Sequence, residues 1–333
     1  NIFDFFNGGY SFLSIFNSGE PAFALLNSLI RTFTDNVQVL FFISSLISTT
    51  ILFKSIEHFT ERKYFFLSVF LYYVLIFWVL DMSGIRQAIA LSILFFSLKP
   101  LSENNLSRYL FLVFIAGMFH FSALLFILGI FLTKKVNKYI ILTLFTIGMI
   151  VFLFRIRWMV SSLESLSSLF IDNYLYLRVW NYAVMDAAFA KERPIFLMLF
   201  VNSFIFLFYF WGREKYTIKD IRSTIFFNLY TLFMLVTFFF WEISDFGVRF
   251  GFYCSIGLII CLPYILQYFK KPLNISVVSL ILFYGFINMR PIILEHRSVI
   301  SYNPYQNYII YSTFDIKSTG EERRDIYISE LEE

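Results

Sequence analysis

Long apolar runs alternate with short polar segments along most of this chain. Many of the runs have the length that a helix needs to cross a bilayer, and they follow one another with little between them. An earlier stretch, residues 20–33, opens on Glu20 and Pro21 and is typical of a helix that lies at the membrane surface. We predict roughly nine membrane segments, at residues 37–56, 64–80, 84–98, 109–132, 139–154, 195–211, 224–241, 249–269 and 273–289.

Residues 109–132 fit a single span poorly. Arg108 precedes them and the lysine-rich stretch 133–138 follows, so a single span would place basic loops on opposite sides of the membrane. A re-entrant or sharply kinked hairpin, with His120 near its apex, would keep these basic residues together. We therefore predict the hairpin.

Composition supports a membrane protein throughout. Hydrophobic residues make up 59% of the 333 positions and charged residues only 15%, with a mean hydropathy of +0.71. A soluble domain of this size could not bury that much apolar surface. We predict an all-α, polytopic integral membrane protein that forms one domain over 1–333. We also expect a further membrane helix ahead of residue 1.

The basic residues predict which loops face the cytoplasm. The expected inside loops are 57–63, 99–108, 133–138, 213–222 and 270–271. The expected outside segments are 81–86, 155–194, 242–249 and 290–333. Residues 155–194 form an extracytoplasmic insertion with the composition of short amphipathic helices, and 290–333 form an extracytoplasmic C-terminal segment.

Cysteines and histidines give no sign of a metal site or a cofactor. Cys254 and Cys261 lie in one apolar run and are interpreted as packing residues. The three histidines (His58, His120 and His296) are scattered, and no Cys/His spacing typical of a metal site is present. The net charge of +4 gives no reason to expect a nucleic-acid partner.

Two arginines at helix starts are the main candidates for chemistry. Arg86 opens one apolar helix, with Ser83 placed to cap it, and Arg249 opens another after Asp245. Helix N-termini and guanidinium groups both attract anions, and two such sites on one face suit a pyrophosphate. The alternatives are interfacial anchors or salt bridges with Asp81, Glu242 or Asp245.

Several short motifs then resemble one family. Glu20-Pro-Ala-Phe-Ala-Leu-Leu-Asn, Ile85-Arg-Gln-Ala-Ile-Ala, Met118-Phe-His-Phe-Ser-Ala and Arg249-Phe-Gly-Phe-Tyr resemble, in order, motifs of the EpsG-like Wzy polysaccharide polymerases. Tyr302-Asn-Pro-Tyr-Gln is similar to the C-terminal ending of that family. The likeness runs from about residue 4 to residue 307, and the Arg-Gln-Ala-Ile-Ala and His-x-Ser-Ala motifs are the most specific. The sequence departs from the family's pattern in two ways: it has the long outer insertion, and it lacks the family's first membrane helix.

The resemblance implies a GT-C-like glycosyltransferase in the bacterial inner membrane, with its active site facing outward. It would transfer a growing undecaprenyl-pyrophosphate-linked glycan onto a lipid-linked repeat unit, for O-antigen or another polysaccharide. The residues themselves predict no cofactor and no divalent metal, because there is no Asp-x-Asp pair or histidine cluster and the two arginines would supply the positive charge. Its expected partners are these lipid-linked oligosaccharides, membrane lipids and a chain-length regulator protein. A lipid-linked oligosaccharide flippase and an O-antigen-ligase-type transferase are the alternatives.

The predicted site combines the two arginines with further outer-face residues. Glu20 is the predicted general base, against a role as a helix-dipole partner. His120 is predicted to donate a hydrogen bond to a phosphate or to act as an acid/base. The alternative is that it is a structural hydrogen-bond partner. Asp81 and Asp245 are interpreted as partners that orient the arginines, and Gln87 as orienting its neighbour. The remaining predicted substrate-binding residues are Arg178, Arg290, Tyr302 and Tyr305.

Overall fold

The fold is helical, and the computed structural model describes residues 20–159, 161–162, 196–216, 221–270 and 273–294. These residues contain helices and no strand. Among the described residues, six helices are long and apolar enough to cross a membrane: Val37–Phe59, Arg62–Leu80, Ile85–Ser102, Ile221–Phe239, Gly247–Gln267 and Leu273–Arg290. The prediction of an all-α, multi-pass membrane protein is confirmed. Most of the insertion at 155–194 and of the segment 290–333 lies outside the described residues.

The described part of the first half of the chain begins with a short helix and continues with helices of varied length. Its elements are α1 (Pro21–Arg31), α2 (Val37–Phe59), α3 (Phe65–Tyr72), a π-helical turn (Tyr73–Phe77), α4 (Trp78–Leu80), α5 (Ile85–Ser102) and α6 (Leu106–Phe119). Asparagine caps set two of these starts. Asn36 accepts a hydrogen bond from the backbone of Gln38, and Asn105 accepts one from Arg108.

The second half begins with a 3₁₀-helix. Its elements are this 3₁₀-helix (Phe121–Thr133), α7 (Lys138–Leu153), α8 (Phe196–Tyr216), α9 (Ile221–Phe239), α10 (Ser244–Tyr264), a second 3₁₀-helix (Ile265–Tyr268) and α11 (Leu273–Leu294). For two of the predicted membrane segments, 139–154 and 195–211, the apolar stretches found in α7 and α8, Lys138–Leu153 and Leu199–Gly212, are shorter than the six candidate spans.

The predicted hairpin at His120 is present. α6 ends at Phe119, His120 is extended, and the 3₁₀-helix folds back along α6. The Tyr109 hydroxyl donates a hydrogen bond of 2.5 Å to the Phe126 carbonyl across the two arms. Near the apex Gly117 lies against Leu124, so closely that a Cβ at this glycine would overlap the leucine. His120 therefore lies at the turn of an antiparallel pair.

α5 lies at the centre of the bundle. Its residues are buried along almost the whole helix, and it packs against α2, α6, α9 and α10. α9 and α10 approach so closely at Gly257 that a Cβ there would overlap the backbone of Tyr230. Small residues allow such close helix pairs in membrane proteins. α11, in contrast, leaves most of its apolar surface exposed, as a helix that faces lipid would.

The start of α5 differs from the prediction. Gly84 occupies the N-cap position and no side chain caps the helix, while the Ser83 hydroxyl donates to the carbonyl of Val79 behind it. The predicted Ser83 cap is therefore wrong. The preceding span is also irregular, because the π-helical turn Tyr73–Phe77 interrupts it shortly before α5 begins. π-helical turns are often found at functional sites.

The polar loops gather at two ends of the bundle. At one end the Tyr264 hydroxyl accepts a hydrogen bond from the backbone of Glu61, and the Asn228 amide donates to the carbonyl of Lys134. At the other end the indole of Trp158 donates to the carbonyl of Phe239. The described loops predicted to be inside thus share one end. Which side of the membrane each end faces stays a prediction.

Candidate functional site

Three side chains that are distant in sequence meet at the end of the bundle predicted to face outward. One carboxylate oxygen of Glu20, Oε2, pairs with the Arg86 guanidinium, and the other, Oε1, lies 2.6 Å from Nδ1 of His120. These contacts join positions 66 and 100 residues apart. The side chains of Glu20 and His120 are 14% and 13% exposed, and that of Arg86 is 45% exposed. The trio is therefore sheltered but open on the arginine side.

Local structure fixes each member of this trio. Glu20 is the N-cap residue of α1, and Pro21 starts the helix directly after it. The Glu20 carboxylate makes no capping hydrogen bond, so its role is not that of a helix cap. A small apolar cluster lies beneath, in which Phe23 of α1 packs with Ile85, the neighbour of Arg86. Phe119, which precedes His120, packs against the same cluster.

The electrostatics favour a charged Glu20. Burial alone would raise the pKa of this carboxyl, but the hydrogen bond with His120 and the charge of Arg86 outweigh burial and lower the pKa below its ordinary value. Glu20 is thus a carboxylate at neutral pH. It accepts from the guanidinium on one side and faces the imidazole on the other, which fixes the orientation of both groups.

Gln87 connects this trio to the second arginine. Its amide Nε2 donates a 2.6 Å hydrogen bond to the backbone carbonyl of Arg249 in the first turns of α10. The bond joins the start of α5 to the start of α10, as the prediction of two arginines on one face requires. The Arg249 side chain is exposed. The contact is with the backbone of Arg249, and the interpretation that Gln87 orients its neighbour in sequence stays a prediction.

Sequence reasoning missed Tyr253. Its hydroxyl lies 3.1 Å from the hydroxyl of Ser122, just beyond the hairpin apex, and so connects α10 to the hairpin. The available signal was helical spacing, because Tyr253 follows Arg249 by one helical turn and lies on the same face. A buried tyrosine at that position extends the site inward from the arginine.

Asp81 does not orient Arg86, so that prediction is wrong. The carboxylate is buried and accepts hydrogen bonds from the hydroxyls of Ser48, at 2.6 Å, and Tyr72. Burial raises the pKa of Asp81, and the two hydrogen bonds only partly offset the rise. The turn between α4 and α5 points this side chain into the bundle, whereas Arg86 points to the surface. Asp81 therefore belongs to an internal polar network and is too buried to contact substrate.

The other predicted residues lie on later elements of the fold or outside the described part of the chain. Glu242, an alternative partner for an arginine, is buried and accepts a 2.6 Å hydrogen bond from the backbone of Met159. Asp245 lies in the first turn of α10, and Arg290 is exposed near the end of α11. The remaining three predictions lie outside the described residues: Arg178, Tyr302 and Tyr305.

The site as described is a positively charged, hydrogen-bonded arrangement that suits an anion and a proton transfer. No group of three or more His, Cys, Asp or Glu side chains in the described part of the chain could hold a metal ion. Arg86 and Arg249 supply the positive charge, and Glu20 with His120 forms a carboxylate–imidazole pair. Such a pair can hold one imidazole nitrogen and leave the other for a substrate.

Comparison with known proteins gives one family. The model of the EpsG family matches residues 1–307, which is most of the chain and includes all residues of the trio. No curated protein and no solved structure matches the chain significantly.

Proposed function

The chain belongs to the EpsG family of Wzy-type polymerases, and from this premise we propose that it is a membrane glycosyltransferase that builds a polysaccharide from lipid-linked repeat units. The donor is a growing glycan on undecaprenyl pyrophosphate, and the acceptor is the non-reducing end of a single repeat unit on a second lipid. The reaction takes place at the outer face of the bacterial inner membrane. The observation that carries the proposal is the cluster of Glu20, Arg86 and His120 at one end of the bundle.

The arginines hold the leaving group. When the bond between the anomeric carbon and the pyrophosphate breaks, negative charge develops on the departing oxygen. Arg86 gives part of its guanidinium fork to Glu20 and keeps further N–H groups for a phosphate. Arg249 supplies a second, exposed guanidinium from the adjacent helix start. Because these two groups provide the positive charge, the reaction requires no divalent metal.

His120 takes the proton. The acceptor hydroxyl attacks the anomeric carbon from the face opposite the pyrophosphate, so the configuration inverts in one displacement. The hydroxyl proton passes to Nε2 of His120, the ring nitrogen that does not face Glu20. Glu20 holds the Nδ1–H and stabilises the imidazolium that forms. A carboxylate whose pKa is lowered is a weak base, which favours His120 over the sequence-based choice of Glu20.

The test is polymer formation by purified protein. The probe is the lipid-linked repeat unit extracted from cells in which the gene for this protein has been deleted. Incubation with the protein in detergent should give a ladder of lipid-linked oligomers that differ by one repeat. A single product on a different lipid acceptor would indicate a ligase. Movement of the repeat unit across liposome membranes without any ladder would indicate a flippase.

A further inference from the structure

A polar cleft lies at the opposite end of the bundle, far from the proposed active site. It has a volume of about 340 Å³ and opens between the ends of α2 and α5. Its wall contains two lysines and a histidine together with aromatic rings. The residues that the argument uses are Lys54, His58, Phe59, Phe96 and Lys99.

Both α2 and α5 contribute a lysine to this cleft. α2 adds an imidazole and α5 adds a phenyl ring. Lys54 and His58 are one turn apart on α2, and Phe96 and Lys99 are one turn apart on α5. Lys54 is exposed, while His58 and Lys99 are half-buried. Because Lys99 is half-buried, its ammonium group is less screened by solvent than a surface lysine, so it would bind an adjacent anion more strongly.

The charge of the wall favours an anion. The two lysines face one acidic residue, the exposed Glu57. Arg222 and Glu103, both exposed, also lie within electrostatic range of His58, and their charges cancel. The wall is therefore positive by one charge.

His58 adds a hydrogen-bonding group. Its Nε2 is buried and has no partner among the described residues. A buried polar atom without a partner is costly, and because His58 lines the cleft, a ligand oxygen or hydroxyl that reached Nε2 would satisfy it.

The aromatic side of the cleft indicates where the rest of the ligand lies. Phe96 is 40% exposed beside Lys99, and Phe59 forms the buried floor. A free phosphate ion would make no favourable contact with an exposed phenyl ring. A phospholipid would place its headgroup between the lysines and an acyl chain along Phe96.

We infer that this cleft binds the phosphate of an anionic phospholipid from the leaflet at this end of the protein. The ammonium groups of Lys54 and Lys99 pair with the phosphodiester, His58 provides a hydrogen bond, and Phe96 contacts the acyl chain. Such basic pockets between membrane helices are a recognised way to hold anionic headgroups. The inference is independent of the catalytic proposal, because the cleft and the trio lie at opposite ends of the bundle.

Native mass spectrometry tests this directly. Delipidated protein in detergent is mixed with equimolar phosphatidylglycerol and phosphatidylcholine, and the bound lipids are counted. Wild-type protein should retain the anionic lipid preferentially. Lys54→Ala, which changes only an exposed side chain, should reduce that preference about fivefold. The double variant Lys54→Ala/Lys99→Ala should reduce it roughly 30-fold.

Lys63→Ala is the matched control. Lys63 lies at the same end of the bundle and is exposed, but it does not line the cleft. Its ammonium group pairs with the carboxylate of Glu61 at a distance of 2.9 Å. Its variant should keep the wild-type preference. An unchanged preference in Lys54→Ala would overturn the inference, as would an equal loss in Lys63→Ala. If the wild type binds both lipids equally and inorganic phosphate alone raises its melting temperature, the lipid assignment is wrong and the cleft binds free phosphate.

Discussion

Replacement of Glu20 by glutamine gives the sharpest test of the proposed chemistry. The amide keeps the shape of the side chain but can no longer accept on both sides. The guanidinium of Arg86 carries only donors, so it will draw the amide oxygen. The amide NH₂ must then face Nδ1 of His120, which makes Nδ1 the acceptor and puts the ring proton on Nε2. His120 is thereby locked in the tautomer that cannot take a proton from the sugar.

The size of the loss follows from what the pair supplies. A positioned general base contributes about 10²- to 10⁴-fold to a rate. A carboxylate-to-amide change that fixes the wrong histidine tautomer in a catalytic triad costs about 10⁴-fold. We therefore expect Glu20→Gln to lower the initial rate of oligomer formation by at least roughly 100-fold. Binding of the lipid-linked substrate should change little, because the arginines and the apolar surfaces remain.

The assay follows the appearance of the two-repeat product under saturating donor and acceptor. Asp35→Asn is the matched control, since Asp35 also faces an arginine, Arg31 at 3.8 Å, but is 92% exposed and lies outside the trio. Its rate should stay within about twofold of the wild type, as is usual for an exposed pair. A Glu20→Gln protein that is folded and polymerises within about fivefold of the wild-type rate would refute the role of Glu20 in positioning His120.

Four further predictions concern the arginines, metals, topology and stability. Arg86→Lys and Arg249→Lys should each lower turnover by at least about tenfold without loss of folded protein, because lysine lacks the planar fork for two phosphate oxygens; wild-type turnover in both would make them anchors. EDTA should leave polymerisation unchanged, and a loss that magnesium or manganese restores would contradict this. In intact cells an impermeant maleimide should label Val248→Cys but not Lys135→Cys, and labelling at 135 would contradict the predicted topology. Because the pKa of Asp81 is raised in the folded protein, Asp81 contributes most to stability at low pH. This contribution declines as the pH rises from the ordinary pKa of an aspartate through the raised pKa of the folded state. The free energy of unfolding of Asp81→Asn should therefore depend less on pH than that of the wild type across this range.

The bilayer explains why so much of the fold could be predicted. A span must be apolar over a set length, so α2, α5 and α9 are visible as runs in the sequence. The hairpin at His120 could be predicted for a related reason, since basic residues at both ends of 109–132 conflict with one crossing. In each case the physical constraint acts on consecutive residues, so these elements can be predicted from the order of residues alone.

The site was less predictable because its contacts are tertiary. Arg86 and Arg249 stand out as charges at apolar helix starts, and Glu20 and His120 were named individually. Their pairing was missed, since nothing in the sequence relates residues 66 and 100 positions apart. Asp81 was assigned to Arg86 because the two are near in sequence. The tight turn before α5 instead sends the carboxylate inward to Ser48 and Tyr72, where hydroxyl donors partly compensate for its burial.

In the proposed reaction the carboxylate of Glu20 would balance the charge of Arg86 first and that of His120 afterwards. Before the proposed reaction Glu20 balances Arg86, so the trio would bind a neutral hydroxyl without a large excess of positive charge. As the glycosidic bond to pyrophosphate breaks, new negative charge draws the guanidinium, and at the same moment His120 becomes an imidazolium. Glu20 can then transfer its strongest interaction from Arg86 to His120 with little movement, because its two oxygens already contact both groups. In the proposed reaction a preorganised site of this kind would stabilise the two developing charges together, so a single carboxylate placed between an arginine and a histidine would serve both ends of the displacement.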